Sequence, residues 1–404
     1  MPRTGWRELW GVIVAAVALV AILSALTEPM PRPDLYDGKA YLRMAEHGFY
    51  GSFERGVAAP FAYRPAVPWL AQQVSLLLAV PVPRAFQILA AFAAAVNLCL
   101  VYGLSRVVGA RPGLAGLVAL LMALSHFQVR GPLYFYTLID VETQAVLLVA
   151  TWALWERQWF PALAISWVGL FFKEWLLVPA GVAWLQLARS CRRSGSVREM
   201  VWVLAAAGVT ALLFLGPRQW VPVTESFSAL DGIRDLDSLL AVTAAPKRWA
   251  NIVYAAASFW LPTLMLLTPQ RIRGLSRALQ GHGFWMGLYA AGVLLLTLFG
   301  GTNIMIFVTY SLPLQVIVLS RITKTQLPTA EIVLVVVAIA LFNKVAIPVP
   351  ELDATLAGRN LWLDFYGGWA DRLNGTTALR SLWMLLFILL ANGLRVILGR
   401  RASA

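Results

Sequence analysis

Four short stretches of this sequence hold residue types suited to proton transfer and anion binding. The first runs Pro33-Asp34-Leu35-Tyr36-Asp37-Gly38-Lys39-Ala40-Tyr41 and on through Glu46, His47 and Gly48. Asp37, Tyr41 and Ala45 stand at i, i+4 and i+8, so they share one helical face, and Gly48 suits the helix stop. Shortly after comes Pro60-Phe61-Ala62-Tyr63-Arg64-Pro65, too proline-rich for a helix interior. It predicts a rigid extended stretch that holds up Tyr63 and Arg64. The second pair is Asp140 and Glu142 at the start of an apolar run, the third Lys173-Glu174 between two apolar runs. The fourth is Gly300-Gly301-Thr302-Asn303, a tight polar turn. Carboxylates beside a lysine and an arginine can form an acid/base centre next to a phosphate-binding patch.

These groups work together only if the elements between them deliver all four to one place. The elements are long apolar runs. Of 404 residues, 59% are hydrophobic and 13% charged, about half the charged fraction usual in a soluble domain. Mean hydropathy is +0.70. Apolar runs of this extent need lipid as solvent. The sequence predicts an all-α, polytopic transmembrane bundle of about twelve spans. They lie near 8–27, 86–108, 112–126, 138–155, 159–172, 175–189, 199–217, 249–267, 283–299, 304–320, 329–347 and 377–398. The first is read as a retained helix, not a cleaved signal, because no clean small-residue cleavage site follows it. Long polar segments at 28–85, 218–248 and 348–376 have room for juxtamembrane helices, and 65–80 is apolar enough for an interfacial one. Two modules are expected: 1–217, including the outer segment 28–85, and a C-terminal module over 218–404.

Charge orients the bundle. With the N-terminus cytoplasmic, 17 of the 33 Lys and Arg residues fall inside. Of the 20 acids, only Glu8, Glu156, Glu199 and Glu331 join them. The inside carries the whole formal excess of +13, as the positive-inside bias demands. Both termini are then cytoplasmic, and the four polar groups all fall on the outer face. The basic balance therefore reports topology and does not argue for nucleic-acid binding. Abundant Ala, Val and Arg suggest a GC-rich bacterial genome, hence an inner membrane with a periplasmic site. The cysteines are two, Cys99 and Cys191, with no CxxC and no His-rich cluster, so neither a disulfide framework nor a zinc site is expected. No cofactor is predicted, with a divalent metal left open.

Each candidate also has a plain structural reading. Asp37 suits a helix N-cap, Lys173 a residue snorkelling at a helix end, and Glu174 its partner. Asp140 and Glu142 suit interfacial acids. His47 and His126 are lone histidines on separate loops. Most of the 17 Trp and 11 Tyr suit membrane-interface anchors, with Tyr36, Tyr63, Tyr134 and Tyr136 placed to line an outer pocket. Asn374-Gly375-Thr376 is a three-residue glycosylation match.

The outer-face pattern resembles the GT-C superfamily of integral-membrane glycosyltransferases. Three features carry the resemblance: Asp37-x3-Tyr41-x3-Ala45 in an early outer loop, a short outward hairpin ending in Lys173-Glu174 before a Leu-Leu-x-Pro run, and the Gly-Gly-Thr-Asn turn ahead of Tyr310-Ser311-Leu312-Pro313. It covers roughly residues 1–217 well and the remainder in architecture. Two features depart from it. No Arg stands among Ile304 to Thr309, and the acidic pair Asp34/Asp37 is three residues apart.

The resemblance implies an inverting transfer of a sugar from a polyprenyl-phosphate donor to an acceptor hydroxyl on a glycan, lipid or protein. Asp37 would be the general base, with Asp34 able to exchange roles with it. Lys173 and Arg64 would stabilise the leaving phosphate. Glu174, Tyr41, Tyr63, His47, Asp140, Glu142 and Asn303 are the remaining candidate substrate contacts. The rival expectation is a multi-spanning transporter or a flippase for lipid-linked substrates. The lack of visible repeats and the placement of nearly all charge at helix ends argue against it. A non-catalytic membrane scaffold is a third reading; it would not need acids, Lys and Arg gathered on one face.

Overall fold

A computed structural model describes residues 6–30, 33–34, 37–54, 56–125, 128–224, 246–299, 304–322, 327–342 and 382–393. Asn303 and the Gly300–Thr302 turn before it, His126, Tyr36 and the 374–376 match lie outside those residues, as do 225–245 and 348–376.

The described chain is all-α. Its first half comprises α1 (Trp6–Ala25), α2 (Gly38–Glu54), α3 (Ala66–Leu78), α4 (Val82–Val108), α5 (Pro112–Ala123), α6 (Arg130–Tyr134), α7 (Asp140–Trp155), α8 (Trp159–Gly169), α9 (Leu177–Ser194) and α10 (Val197–Trp220). Then follow α11 (Pro246–Phe259), α12 (Leu261–Leu266), α13 (Pro269–Ala278), α14 (Gly283–Phe299), α15 (Ile304–Thr309), α16 (Leu312–Ile322), α17 (Thr329–Phe342) and α18 (Leu382–Gly393).

Three of these are long and apolar enough to cross a membrane: α1, α4 and α10. α13 and α14 pass that test only as a pair, and the pair bends by 110°. Several long apolar helices suggest a membrane protein. Other expected spans differ from the sequence reading. α5 has 12 residues, about 18 Å at about 1.5 Å per residue, well short of a hydrocarbon core of about 30 Å. The run at 249–267 breaks at Trp260, and the run at 304–320 breaks at Tyr310-Ser311. A hydropathy average does not reveal these breaks, because one Trp or one Tyr-Ser pair barely lowers the mean over a window of about 19 residues.

Packing follows from small residues. α4 runs along α5 and α7, α7 along α8, and α8 along α9. Gly103 lets α4 approach α7, since a Cβ there would lie 2.7 Å from the Trp152 ring. Gly169 does the same at the end of α8, where a Cβ would meet Leu176 at 2.3 Å. Close approach through small residues is how helices gain packing where lipid supplies no hydrophobic drive. Polar side chains then tie helices together. Asn97 of α4 donates to the Val141 carbonyl (2.8 Å), and Trp167 of α8 to Thr210 of α10 (2.8 Å). The main apolar core takes residues from both sides of the expected boundary at 217, from Val101 to Ala391.

The short connections make neighbouring helices antiparallel, so charge sorts to two ends. At one end Glu8 pairs with Arg106 (2.9 Å), and Arg271 with Glu331 (2.8 Å). Arg321 stacks over Trp155 there. All of these had been assigned to one side by charge. The opposite end holds Asp37, Arg64, Asp140 and Lys173-Glu174.

Candidate active site

The site is built from helix ends. α1 stops at Ala25, and buried Arg130 of α6 donates to Leu26 O (3.3 Å) and Thr27 Oγ1 (3.1 Å). This satisfies groups that a helix C-terminus leaves open. Met30 N donates to Tyr134 O (3.1 Å), which ties the next stretch of chain to the bundle. Asp37 then starts α2, its carbonyl accepting from Ala40 N and Tyr41 N. Gly38 is obligatory at this start. A Cβ there would lie 2.3 Å from the Pro33 carbonyl oxygen and 2.4 Å from Thr137 Oγ1.

α2 keeps the predicted face: Tyr41 and Ala45 are both buried. Gly48 departs from helical geometry (φ 73°), so the helical stretch that starts at Gly38 breaks there as expected, and a second stretch runs on to Glu54. The 60–65 stretch differs from the extended form expected. Phe61–Tyr63 make a turn of 3-10 helix leading into α3. That turn, with Ala66 N donating to Phe171 O (3.1 Å), brings Arg64 against the hairpin between α8 and α9.

Arg64 is the hub. It is 5% exposed. Its Nε and Nη2 donate to the two oxygens of Glu174 at 2.8 and 2.5 Å, and its Nη1 donates to the Tyr41 hydroxyl at 2.9 Å. A second pair sits beside it: Lys173 Nζ donates to Asp140 Oδ1 at 2.5 Å. The Tyr310 hydroxyl donates to the same Asp140 oxygen. Tyr310 is fully buried and stacks on Trp175, ring centres 4.3 Å apart. One turn further along α7, Gln144 donates to Thr309 (2.8 Å).

Asp37 lies within the field of all four charged groups, Arg64, Lys173, Asp140 and Glu174. Among the described residues, no hydrogen bond engages its carboxylate. Burial pushes that carboxyl above the usual range, against the pull of Arg64 and Lys173. Burial acts on Glu174 too, but the Arg64 and Lys173 charges beside it outweigh that effect and hold it below the usual range. The Tyr41 phenol is pushed up by burial.

The other predicted residues fall outside this cluster. Glu142 lies two residues along α7 from Asp140, so it points away from it. It is buried, and both its carboxylate oxygens lack a hydrogen-bond partner among the described residues. It is not an outer-surface acid. His47 is exposed on α2, and Asp34 is exposed ahead of Asp37. Tyr63 lies a little apart, under the Arg218 guanidinium (4.9 Å from its ring centre). There it lines a small pocket with Glu174 and Arg218. Among the described residues, no three His, Cys, Asp or Glu side chains group as a metal site would need.

Sequence reasoning missed two residues. Tyr310 was quoted only as part of a motif, within a run read as one uninterrupted span. A tyrosine followed by Ser-Leu-Pro is a signal of a helix restart that was available. Arg218 stands at the start of the polar segment 218–248, but α10 extends to Trp220 and carries it to the site.

Comparison of the chain with family models, with curated proteins and with solved structures returns no match.

Proposed function

We propose that this chain is an inverting glycosyltransferase of GT-C type. It moves a sugar from a polyprenyl-phosphate donor to an acceptor hydroxyl on a glycan, lipid or protein. In this reading about twelve apolar segments enter the membrane, the shorter ones only part-way, and both termini are cytoplasmic. The reacting face is extracytoplasmic, in a bacterial inner membrane.

The observation that carries the reading is the division of labour among the carboxylates. Asp140 and Glu174 are neutralised by Lys173 and Arg64. Asp37 keeps its carboxylate uncommitted and partly open, in surroundings that raise its proton affinity. A general base works best when its pKa approaches the working pH. Asp37 takes the proton from the acceptor hydroxyl. The acceptor oxygen attacks the anomeric carbon, and the bond from that carbon to the phosphate oxygen breaks on the opposite side. The polyprenyl phosphate leaves with the electron pair. An ammonium has three donors and a guanidinium five. Lys173 and Arg64 thus keep spare N–H groups for the departing phosphate while their carboxylate partners hold them in place. The donor's isoprenoid tail remains in lipid.

The test is transfer of radiolabelled sugar from polyprenyl-phosphate donors by purified protein in nanodiscs, with a cell-envelope extract as acceptor. Asp37→Asn is compared with wild type, and thermal stability is followed in both. Loss of transfer in a stably folded variant supports the reading. Transfer that survives moves the base to Asp34. Failure to bind any donor turns the assignment toward a transporter.

A further inference from the structure

The end of the bundle opposite Asp37 contains a large cavity of about 850 Å³. It lies where the short α7–α8 turn, the last turns of α9 and the α13–α14 elbow meet. Arg157, Arg189 and Arg193 line it together with Ser190, and none of its described lining residues is acidic. Trp159 and Phe284 supply apolar wall. With Ser276 the lining has three cations and two hydroxyls facing one space, and with no carboxylate among the lining residues they make a site for an anion with several acceptor oxygens.

Local geometry holds the arginines in place. Arg189 packs over the Phe284 ring, 4.8 Å from its centre. Arg157 sits at φ 59°, in the left-handed region that favours glycine or asparagine. Its guanidinium lies 2.9 Å from where a Cβ on Gly281 would stand, and Gly281 itself has φ 84°. Glycine suits position 281 by its positive φ, and its missing Cβ leaves room for the Arg157 head group in the elbow. The elbow's first arm is α13, which carries Arg271, Arg273 and Arg277 with exposed Ile272. It turns by 110° from apolar α14, as a helix does when it leaves a span to lie along the membrane surface.

We propose that this cavity binds a phosphate group, carried there by an anionic membrane lipid. The volume is of ligand size (about 300–1,000 Å³ is usual) and far exceeds the roughly 30 Å³ share of a water molecule. A glycerophosphate head group fits within it, with its phosphate on the arginines and its glycerol end against Trp159 and Phe284. The alternative source of the same chemistry is a soluble phosphate. Neither the cavity nor its charge depends on the glycosyltransferase reading.

The experiment is a titration of the delipidated full chain in neutral detergent with phosphatidylglycerol, phosphatidylcholine of equal chain length, or inorganic phosphate, with bound molecules counted by native mass spectrometry. The variants are Arg157→Gln/Arg189→Gln/Arg193→Gln and a charge-matched control, Arg111→Gln/Arg192→Gln/Arg198→Gln. Phosphatidylglycerol binds wild type and the control, and its affinity falls on the order of 100-fold in the cavity variant. Competition by inorganic phosphate at equal affinity would retain the phosphate site and assign its source to a soluble anion. Equal binding of phosphatidylcholine, or a cavity variant that binds like the control, would overturn the proposal. Should the triple variant unfold, Arg193→Gln alone, at the exposed end of α9, must still weaken binding several-fold, about 5-fold for one basic residue.

Discussion

The link between Arg64 and Glu174 joins residues 110 apart in the chain, and breaking it tests how the site is held. The two partners are unequal. Arg64 is 5% exposed, whereas the Glu174 side chain is 25% exposed and also has Lys173 beside it. Glu174→Gln leaves the buried guanidinium without its contacting counter-charge, with only the introduced amide oxygen and the Tyr41 hydroxyl as neutral acceptors. Removing one partner of a buried pair costs about 3–5 kcal/mol. Arg64→Met leaves Glu174 with water and Lys173 and fills the space with an apolar side chain, so it costs less, about 2 kcal/mol for the charge-assisted bonds lost. In Arg64→Met/Glu174→Gln no stranded cation remains. The double variant should therefore be more stable than Glu174→Gln alone, by about 1–3 kcal/mol. The assay is unfolding in mild detergent by SDS titration at pH 7, followed by tryptophan fluorescence. Strict additivity of the two single losses, or a Glu174→Gln loss under about 1 kcal/mol, would refute the hub role given to this pair.

Three further outcomes follow from the same geometry. Gly38→Ala must push the Pro33 carbonyl and Thr137 away from a Cβ at 2.3–2.4 Å; it costs about 1–3 kcal/mol and shifts Asp37, so transfer activity should fall by more than the change in melting temperature accounts for. Glu174 is held below its unfolded value of about 4.3, so its stabilising contribution is complete above that pH and is lost as pH falls through the lower folded value; a melting series from pH 6 downward should show the loss in wild type and not in Glu174→Gln. Asp37 has the opposite sign. Its folded value lies above the unfolded value of about 3.9, so its ionisation weakens the fold as pH rises. Asp37→Asn should match wild type below about pH 4 and melt at a higher temperature at pH 7; a variant that melts lower at pH 7 would contradict the placement of this carboxylate.

Much of the site was legible because its parts lie at helix ends, where charge is tolerated in a membrane chain. Asp37 and Tyr41 share the predicted helical face, and Lys173-Glu174 stands at the predicted hairpin. The parity of apolar runs was enough to put them at one end. Glu142 was misplaced because proximity to Asp140 in sequence suggested a common environment. Two residues of helix rotation bury it elsewhere. Tyr310 does not stand out in the sequence because one Tyr-Ser pair barely lowers the average hydropathy of a long apolar run.

Residue type and period alone make this chain helical and apolar and place its candidate carboxylates and cations near helix termini. These are local properties, set by residue type and period, and they need no knowledge of neighbours. Which side chains meet is settled by packing in three dimensions. That packing assigned Glu174 to Arg64 instead of to the adjacent Lys173, gave Lys173 to Asp140, brought Tyr310 from the far half of the chain onto Asp140, and left Asp37 uncommitted. Such pairings depend on how closely helices approach, which Gly38, Gly103 and Gly169 permit. Side-chain direction and backbone distance appear in no single stretch of sequence.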